Sequence, residues 1–292
     1  MEAEIHATTH IGRVRRNNED NYLLLDIPNS KFVTKADDLD EFTVQSHKFE
    51  VNENGIVIAV SDALGEIASE IAVEVIKNML TGEVPNLGQS FYESELIKRL
   101  YDATLYANLQ IHNQGCTNPQ FHGMGATITA VGITPNSADF IQVGDSRGYL
   151  VRKGEIFQIT KDQTLVNQLI DLGEIAPEEA ETHALKNVIL QALGAQTEVY
   201  PDVVRLIPQR DDILLLCSDG LSNKIRANDL LRTILNNLDD LQNACRVLIQ
   251  EANECGGEDN ITAILVKLLD NNLPEQTDDS IVVYPLNFNL NE

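Results

Sequence analysis

Residues 125–159 read GATITAVGITPNSADFIQVGDSRGYLVRKGEIFQI. Apolar, β-branched and aromatic residues cluster at 126–133, 138–143, 147–152 and 155–159, with Asn136 and the Lys153-Gly154 pair supplying turn chemistry between them, so the spacing predicts four short strands in succession. The second strand runs into Val143-Gly144-Asp145-Ser146-Arg147. An apolar run that feeds an acid and a glycine reads as a buried strand delivering a carboxylate to the rim of a sheet. Acids in similar settings recur at Asp62 (after Val57-Ile58-Ala59-Val60-Ser61), Asp219 (after Leu214-Leu215-Leu216-Cys217-Ser218) and Asp259 (in Gly256-Gly257-Glu258-Asp259-Asn260). Delivered to one cleft from distant parts of the chain, such carboxylates repel one another unless a multivalent cation neutralises them. Hard oxygen ligands select magnesium, manganese or calcium over zinc, so the residues by themselves point to a metal site with hydrolytic chemistry.

Outward from this stretch, strands are expected at 4–11, 21–26, 55–61, 187–191, 200–206, 212–218 and 260–268. Ile67, Ile71, Val75, Ile76 and Met79 recur at helical spacing through Leu80, and helices are also expected over 92–114, 162–172, 176–182, 227–236 and 239–254. Residues 27–54 are polar and acidic and read as a surface excursion or long hairpin, while the tail from 269 carries an apolar patch at Ile281-Val282-Val283-Tyr284. Strands outnumber helices, and the helices come in pairs between groups of strands. That favours two packed sheets with helices on their outer faces, an α+β arrangement. A doubly wound sheet needs steady βαβ alternation and a glycine-rich phosphate loop, and neither is present.

With 21 basic against 45 acidic residues in 292, the net charge is −24, which argues against nucleic acid or an anionic membrane as the main partner. No apolar stretch reaches the roughly 18 residues that cross a bilayer. The opening Met-Glu-Ala-Glu-Ile-His lacks the basic and apolar regions of a secretory signal. Cys116, Cys217, Cys245 and Cys255 show no metal-ligand spacing, and Cys217 lies within an apolar run as a small core residue. A cytoplasmic, reduced, monomeric protein is the expectation.

Six motifs occur in a fixed order: Gly12-Arg13-Val14-Arg15-Arg16-Asn17-Asn18-Glu19-Asp20, Gly123-Met124-Gly125-Ala126-Thr127, Gly144-Asp145-Ser146-Arg147-Gly148, Thr160-Lys161-Asp162-Gln163-Thr164, Ser218-Asp219-Gly220 and Gly257-Glu258-Asp259-Asn260. Each alone is weak, since an aspartate before a glycine is often only a turn former. In this order they resemble the metal-dependent serine/threonine phosphatases of type 2C, the PPM family, especially its compact bacterial branch. The resemblance covers about residues 5–268, and residues 1–268 are read as one phosphatase domain, with 27–54 as a variable acidic insertion or hairpin and 269–292 as a C-terminal tail. It implies a four-layer α-β-β-α sandwich with two central, mainly antiparallel sheets.

The resemblance also implies a site. Asp62 bridges two Mn2+ or Mg2+ ions, the main-chain carbonyl of Ala63 binds one of them, and Asp219 and Asp259 complete the protein ligands. Asp145, with Asp219, matches the acids that hold a weaker third metal. Asp20 and Glu19 hold metal-bound waters, Asn260 pins the Asp259 loop, and Arg15 matches the arginine that grips phosphate with its planar fork. The implied reaction is hydrolysis of phosphoserine and phosphothreonine in protein substrates, the targets of a serine/threonine kinase, by in-line attack of a hydroxide held between the metals.

His6 and His10 alternate onto one strand face and are read as structural, whereas His183 falls in a segment resembling the family's flap. The sharpest departure is at the first acid. The family's loop usually reads D-G-M-G-G-H-x-x-G-E-x-A-S, but Asp62-Ala63-Leu64-Gly65-Glu66-Ile67-Ala68-Ser69 is about five residues shorter and has no histidine. Gln163 also stands where the family often has a second histidine. These departures keep two other readings open: a degenerate relative that binds metal or phosphoprotein with little turnover, and a hydrolase for a different phosphoester.

Overall fold

Leu23 and Leu25 pack among helical residues, whereas Tyr22 and Leu24 on the same strand pack against another sheet. Ile213 and Leu215 alternate with Leu214 and Leu216 in the same way. Side chains of a strand alternate between faces, so a strand covered on both sides must be apolar at nearly every position. That is why the central segments read as continuous apolar runs. The computed structural model describes residues 1–35, 43–65, 67–84, 95–180, 183–270, 272–276 and 283–285, and these build two facing sheets with helices outside each.

The first sheet has the order β11 (Glu155–Gln158), β10 (Arg147–Arg152), β13 (Ile213–Cys217), β14 (Ile261–Leu269), β1 (Glu2–His10) and β4 (Gln45–Glu50). The second runs β15 (Val283–Pro285), β12 (Asp202–Leu206), β9 (Ala138–Val143), β8 (Ile128–Ile133), β5 (Ile56–Ser61), β2 (Asn21–Asp26) and β3 (Lys31–Thr34). Every pairing in both is antiparallel. Ile5, Leu24, Ile58, Phe140, Leu216 and Ile264 fill the space between the sheets. Outside the second sheet lie α1 (Ala68–Thr81) and α2 (Leu96–Thr117), burying Ala72, Ile76, Leu100 and Ile111 against Leu23, Val57 and Ala130. Outside the first lie α6 (Ala227–Asn236) and α7 (Leu241–Glu254), which set Leu230, Ile234, Leu248 and Ile249 against Leu215 and Leu265. The expected α-β-β-α sandwich is the observed fold.

Three sequence expectations change. Residues 187–191 form no strand. Leu165 N donates to Val188 O (2.9 Å) and Leu190 N donates to Gln163 O (2.8 Å), so this run braces the 163–165 loop and leaves Val188, Ile189 and Leu190 exposed. His183 therefore precedes no strand. The 27–54 segment is more than an excursion: β3 forms a hairpin with β2 on the second sheet, and β4 pairs with β1 at an edge of the first. The tail contributes β15, which pairs with β12. Parts of these expectations, at 36–42, 92–94, 181–182 and 281–282, lie outside the described residues.

Candidate active site

The ends of the central strands bring the predicted acids to one rim. Asp62 follows β5, Asp145 lies between β9 and β10, Asp219 opens the short helix α5 (Asp219–Ser222) after β13, and Asp259 precedes β14. Asp20, just before β2, is completely buried beneath them. Its Oδ2 accepts hydrogen bonds from Ser218 Oγ and Thr262 Oγ1, both at 2.7 Å, while its Oδ1 is buried with no partner.

Electrostatics report how closely the acids converge. Burial pushes the Asp20 carboxyl up to about 6 against the pull of its two hydroxyl donors, and Asp219 and Asp259 add to the rise. Burial likewise takes Asp145 up to about 7, with Asp219 and Asp162 contributing. Asp62 is raised well above the ordinary carboxylate range by burial and then by Asp20, Asp219, Asp259 and Asp145 together. Asp219 is raised by burial and by Asp259. It accepts from Asn223 Nδ2 at 3.0 Å on Oδ2, and its Oδ1 is buried without a partner. Of these five acids only Asp259 is ion-paired among the described residues, taking Arg15 Nη2 on Oδ2 at 2.8 Å.

The N-terminal motif is sewn onto the Asp259 loop. Asn260 Nδ2 donates to Ile11 O (2.9 Å) and Asn17 O (3.0 Å), and its Oδ1 accepts from Glu19 N (2.7 Å). Gly12, at φ +82°, lies so close that a Cβ there would meet Asp259 O at 2.1 Å. Arg15 and Asp20 thus reach Asp259 and Asp219 through an interface built from two distant motifs.

The shortened loop after Asp62 is held by a ladder. Strands β6 (Ala63–Leu64) and β7 (Gly125–Ala126) pair through Ala63↔Ala126 and Leu64↔Gly125. Thr127 N donates to Asp62 O (2.8 Å), Asp62 N donates to Thr127 Oγ1 (3.0 Å) and Ser61 Oγ donates to Thr127 O (2.6 Å). The N–H and C=O of Ala126 both bond to Leu193, at 3.0 and 2.8 Å. Ala63 therefore faces Ala126 without sharing hydrogen bonds, and its carbonyl points away from β7. The left-handed step in this loop is taken by Gly65 (φ +109°), while Ala63 is not among the residues of positive φ. Alanine in place of the usual glycine is accommodated without strain.

Several contributors were not assigned from sequence. Thr127 also meets Ser146 Oγ at 2.8 Å, tying the Asp62 loop to the Asp145 turn. That turn approaches so closely that a Cβ on Gly144 would meet Thr127 Cγ2 at 2.6 Å. Behind Asp145, Arg147 grips Asp162 with Nε (3.0 and 2.9 Å) and Nη2 (2.7 Å), and its Nη1 donates to Tyr149 OH at 3.2 Å. The available signal was the presence of hydroxyl and charged residues inside quoted motifs, but their partners are far away in sequence. The histidines bond away from the acids: His6 Nδ1 to Ser46 Oγ (2.8 Å), His10 Nδ1 accepting from Gly12 N (2.8 Å), and His183 Nδ1 accepting from Leu185 N (3.2 Å).

Among the described residues, no three His, Cys, Asp or Glu side chains close into a ready-made metal cage. The carboxylates are shared out to Arg15, Asn223, Ser218 and Thr262 instead. The donor set nevertheless fits hard divalent cations: all oxygen, mutually repelling, with unpartnered buried oxygens on Asp20 and Asp219.

A two-sheet sandwich carrying such a rim of acids defines the class of metal-dependent phosphohydrolases. A family model described as Protein phosphatase 2C matches residues 43–267. The serine/threonine phosphatase stp of Listeria welshimeri is 33% identical over 272 residues, covering 91% of this chain and 96% of that protein. The crystal structure of the Mycobacterium tuberculosis serine/threonine phosphatase PstP/Ppp superposes with a TM-score of 0.72 at 30% identity, covering 92% of this chain and all of that one. A structure of the PstP catalytic domain in complex with 2 manganese ions superposes at 0.70 with 29% identity, covering 92% and 100% of the two chains. The chain belongs to the protein phosphatase 2C family.

Proposed function

We propose that this chain is a manganese- or magnesium-dependent phosphatase that hydrolyses phosphoserine and phosphothreonine in proteins. The observation that carries the reading is the convergence of Asp20, Asp62, Asp145, Asp219 and Asp259, of which only Asp259 has its carboxylate in an ion pair among the described residues. Asp62, the Ala63 carbonyl, Asp219 and Asp259 would hold the metal pair, and Asp145 with Asp219 would hold a third ion. When bound, the cations acidify water and balance the charge of the phosphoryl group. Asp20 holds Ser218 and Thr262 in place, which sets the angle at which the Asp219 and Asp259 loops present their carboxylates. Arg15 is held beside the acids by Asp259, where its planar fork would meet the phosphate oxygens.

The trimmed loop was the argument for a degenerate relative. Its ladder to Gly125–Ala126 and the Thr127 bonds to Asp62 support an organised site instead. Phosphoproteins are the substrates. Among the described residues no helix is long and apolar enough to cross a membrane. Turnover of para-nitrophenyl phosphate and a phosphothreonine peptide, rising with Mn2+ and abolished by chelation, is the expected result. Metal binding without turnover of either substrate contradicts the proposal, and activity confined to a small phosphorylated metabolite favours a different phosphoester.

A further inference from the structure

Residues 18–20 lie between the Arg15 turn and β2 and belong to no strand, so their carbonyls must find partners outside a ladder. Lys35 Nζ donates to two of them, the carbonyls of Asn18 and of Asp20, the latter at 2.9 Å. The carbonyl between them, on Glu19, accepts from Ser69 Oγ at the start of α1. Carbonyls two apart thus face one side and the intervening one faces the other, as in an extended chain. A single ammonium can serve both because it carries three donors on a flexible stem. Lys35 directly follows β3, which forms a hairpin with β2, so it comes from the polar, acidic 27–54 segment. It is half-buried, turned onto the main chain that carries Asp20.

We propose that Lys35 is a positioning residue for metal binding. By holding the Asn18 and Asp20 carbonyls it fixes where the Asp20 carboxylate meets Ser218 and Thr262, and through them how the Asp219 and Asp259 loops present their acids. The inference rests on the metal-site reading above, and it makes the 27–54 segment part of the machinery that shapes the site. Position and charge give opposite signs here. A cation beside a metal site repels the metal, so a role in charge alone would let Mn2+ bind more tightly once the lysine is lost. A role in position makes Mn2+ bind more weakly.

Calorimetric titration of Mn2+ into the metal-free chain compares wild type with Lys35→Met and Lys35→Arg. Lys35→Met is expected to weaken Mn2+ binding about tenfold, and Lys35→Arg, whose fork can still reach two carbonyls, to bring it back within about threefold of wild type. Lys35→Met made on top of Asp20→Asn is expected to cost less than about twofold more, because the lysine acts through that carboxylate. A merely structural role would instead add the same loss in both backgrounds. Amide hydrogen exchange at residues 18–21 of the metal-free chain is expected to quicken in Lys35→Met, which reads the contact without metal. Lys35→Gln, shorter and uncharged, repeats the measurements should Lys35→Met misfold. Mn2+ affinity that is unchanged or higher without the lysine, or the full loss repeated on Asp20→Asn, overturns the proposal. A wild type that takes up no Mn2+ overturns the metal-site reading instead, and the exchange rates then decide whether Lys35 holds the 18–20 chain.

Discussion

Asp20 shows how much a single side chain decides here. Its side chain is buried, bonded on one oxygen to two hydroxyls and bare on the other, and its carboxylate forms no ion pair among the described residues. Replacing it with asparagine keeps its shape and removes its charge. Mn2+ affinity, measured by calorimetry, is expected to fall about 10–100-fold in Asp20→Asn, the usual cost of losing a partner that orients metal ligands. Arg15 is proposed to meet the phosphate: Arg15→Ala is expected to lower kcat/KM for a phosphothreonine peptide about 100-fold, with Mn2+ affinity little changed. The rim acids and Arg15 were legible because each sits in a local motif. Thr127, Ser218 and Thr262 were not, since their worth lies in partners such as Asp20, which is 198 residues from Ser218. A hydroxyl at the end of an apolar strand announces that it needs a partner, but not which one.

At the scale of elements, the site is a set of strand ends bolted together by Thr127 and by the Arg147–Asp162 pair. Thr127→Val keeps the shape and removes the hydroxyl that serves Asp62 N and Ser146 Oγ. Thermal or urea unfolding is expected to show a loss of about 1–3 kcal/mol, from one buried N–H left unsatisfied. Mn2+ affinity is expected to fall with it, because the Asp62 loop and the Asp145 turn lose their common anchor. Central strands and the long helices were legible from period and length: expected runs at 138–143, 147–152 and 227–236 match the observed elements. The 187–191 run misled because an apolar run records burial or contact, not sheet pairing. Its Leu190 N–H and Val188 carbonyl bond to the 163–165 loop as an isolated bridge, and no strand follows from it. The 27–54 segment misled in the opposite direction, since polar edge strands such as Gln45–Glu50 need only one covered face.

For the whole molecule, the same charge that makes the site also sets a pH dependence. Asp20 and Asp145, held up to about 6 and about 7, keep protons in the folded metal-free chain that the unfolded chain has already released. The stability they contribute is present below the ordinary aspartate value and is lost as pH rises through that window. The net charge of −24 at neutral pH pushes in the same direction. Metal-free chain is therefore expected to melt higher at about pH 5 than at about pH 7.5, and saturating Mn2+ is expected to narrow or reverse that difference, because only the ionised acids bind metal. Asp20→Asn is expected to flatten the metal-free profile. The two-sheet sandwich was readable from the surplus of strands and the pairing of helices. Which sheet receives each edge strand depends on tertiary pairing that no local pattern records.

The central claim is that the rim acids together hold divalent metal. Titration of Mn2+ into the metal-free chain, followed by calorimetry near neutral pH, tests it without relying on turnover. About two or more ions per chain are expected, with at least one lost in Asp219→Asn and again in Asp62→Asn. A wild-type chain that takes up fewer than two, or variants that bind as many ions as tightly as wild type, would contradict the account.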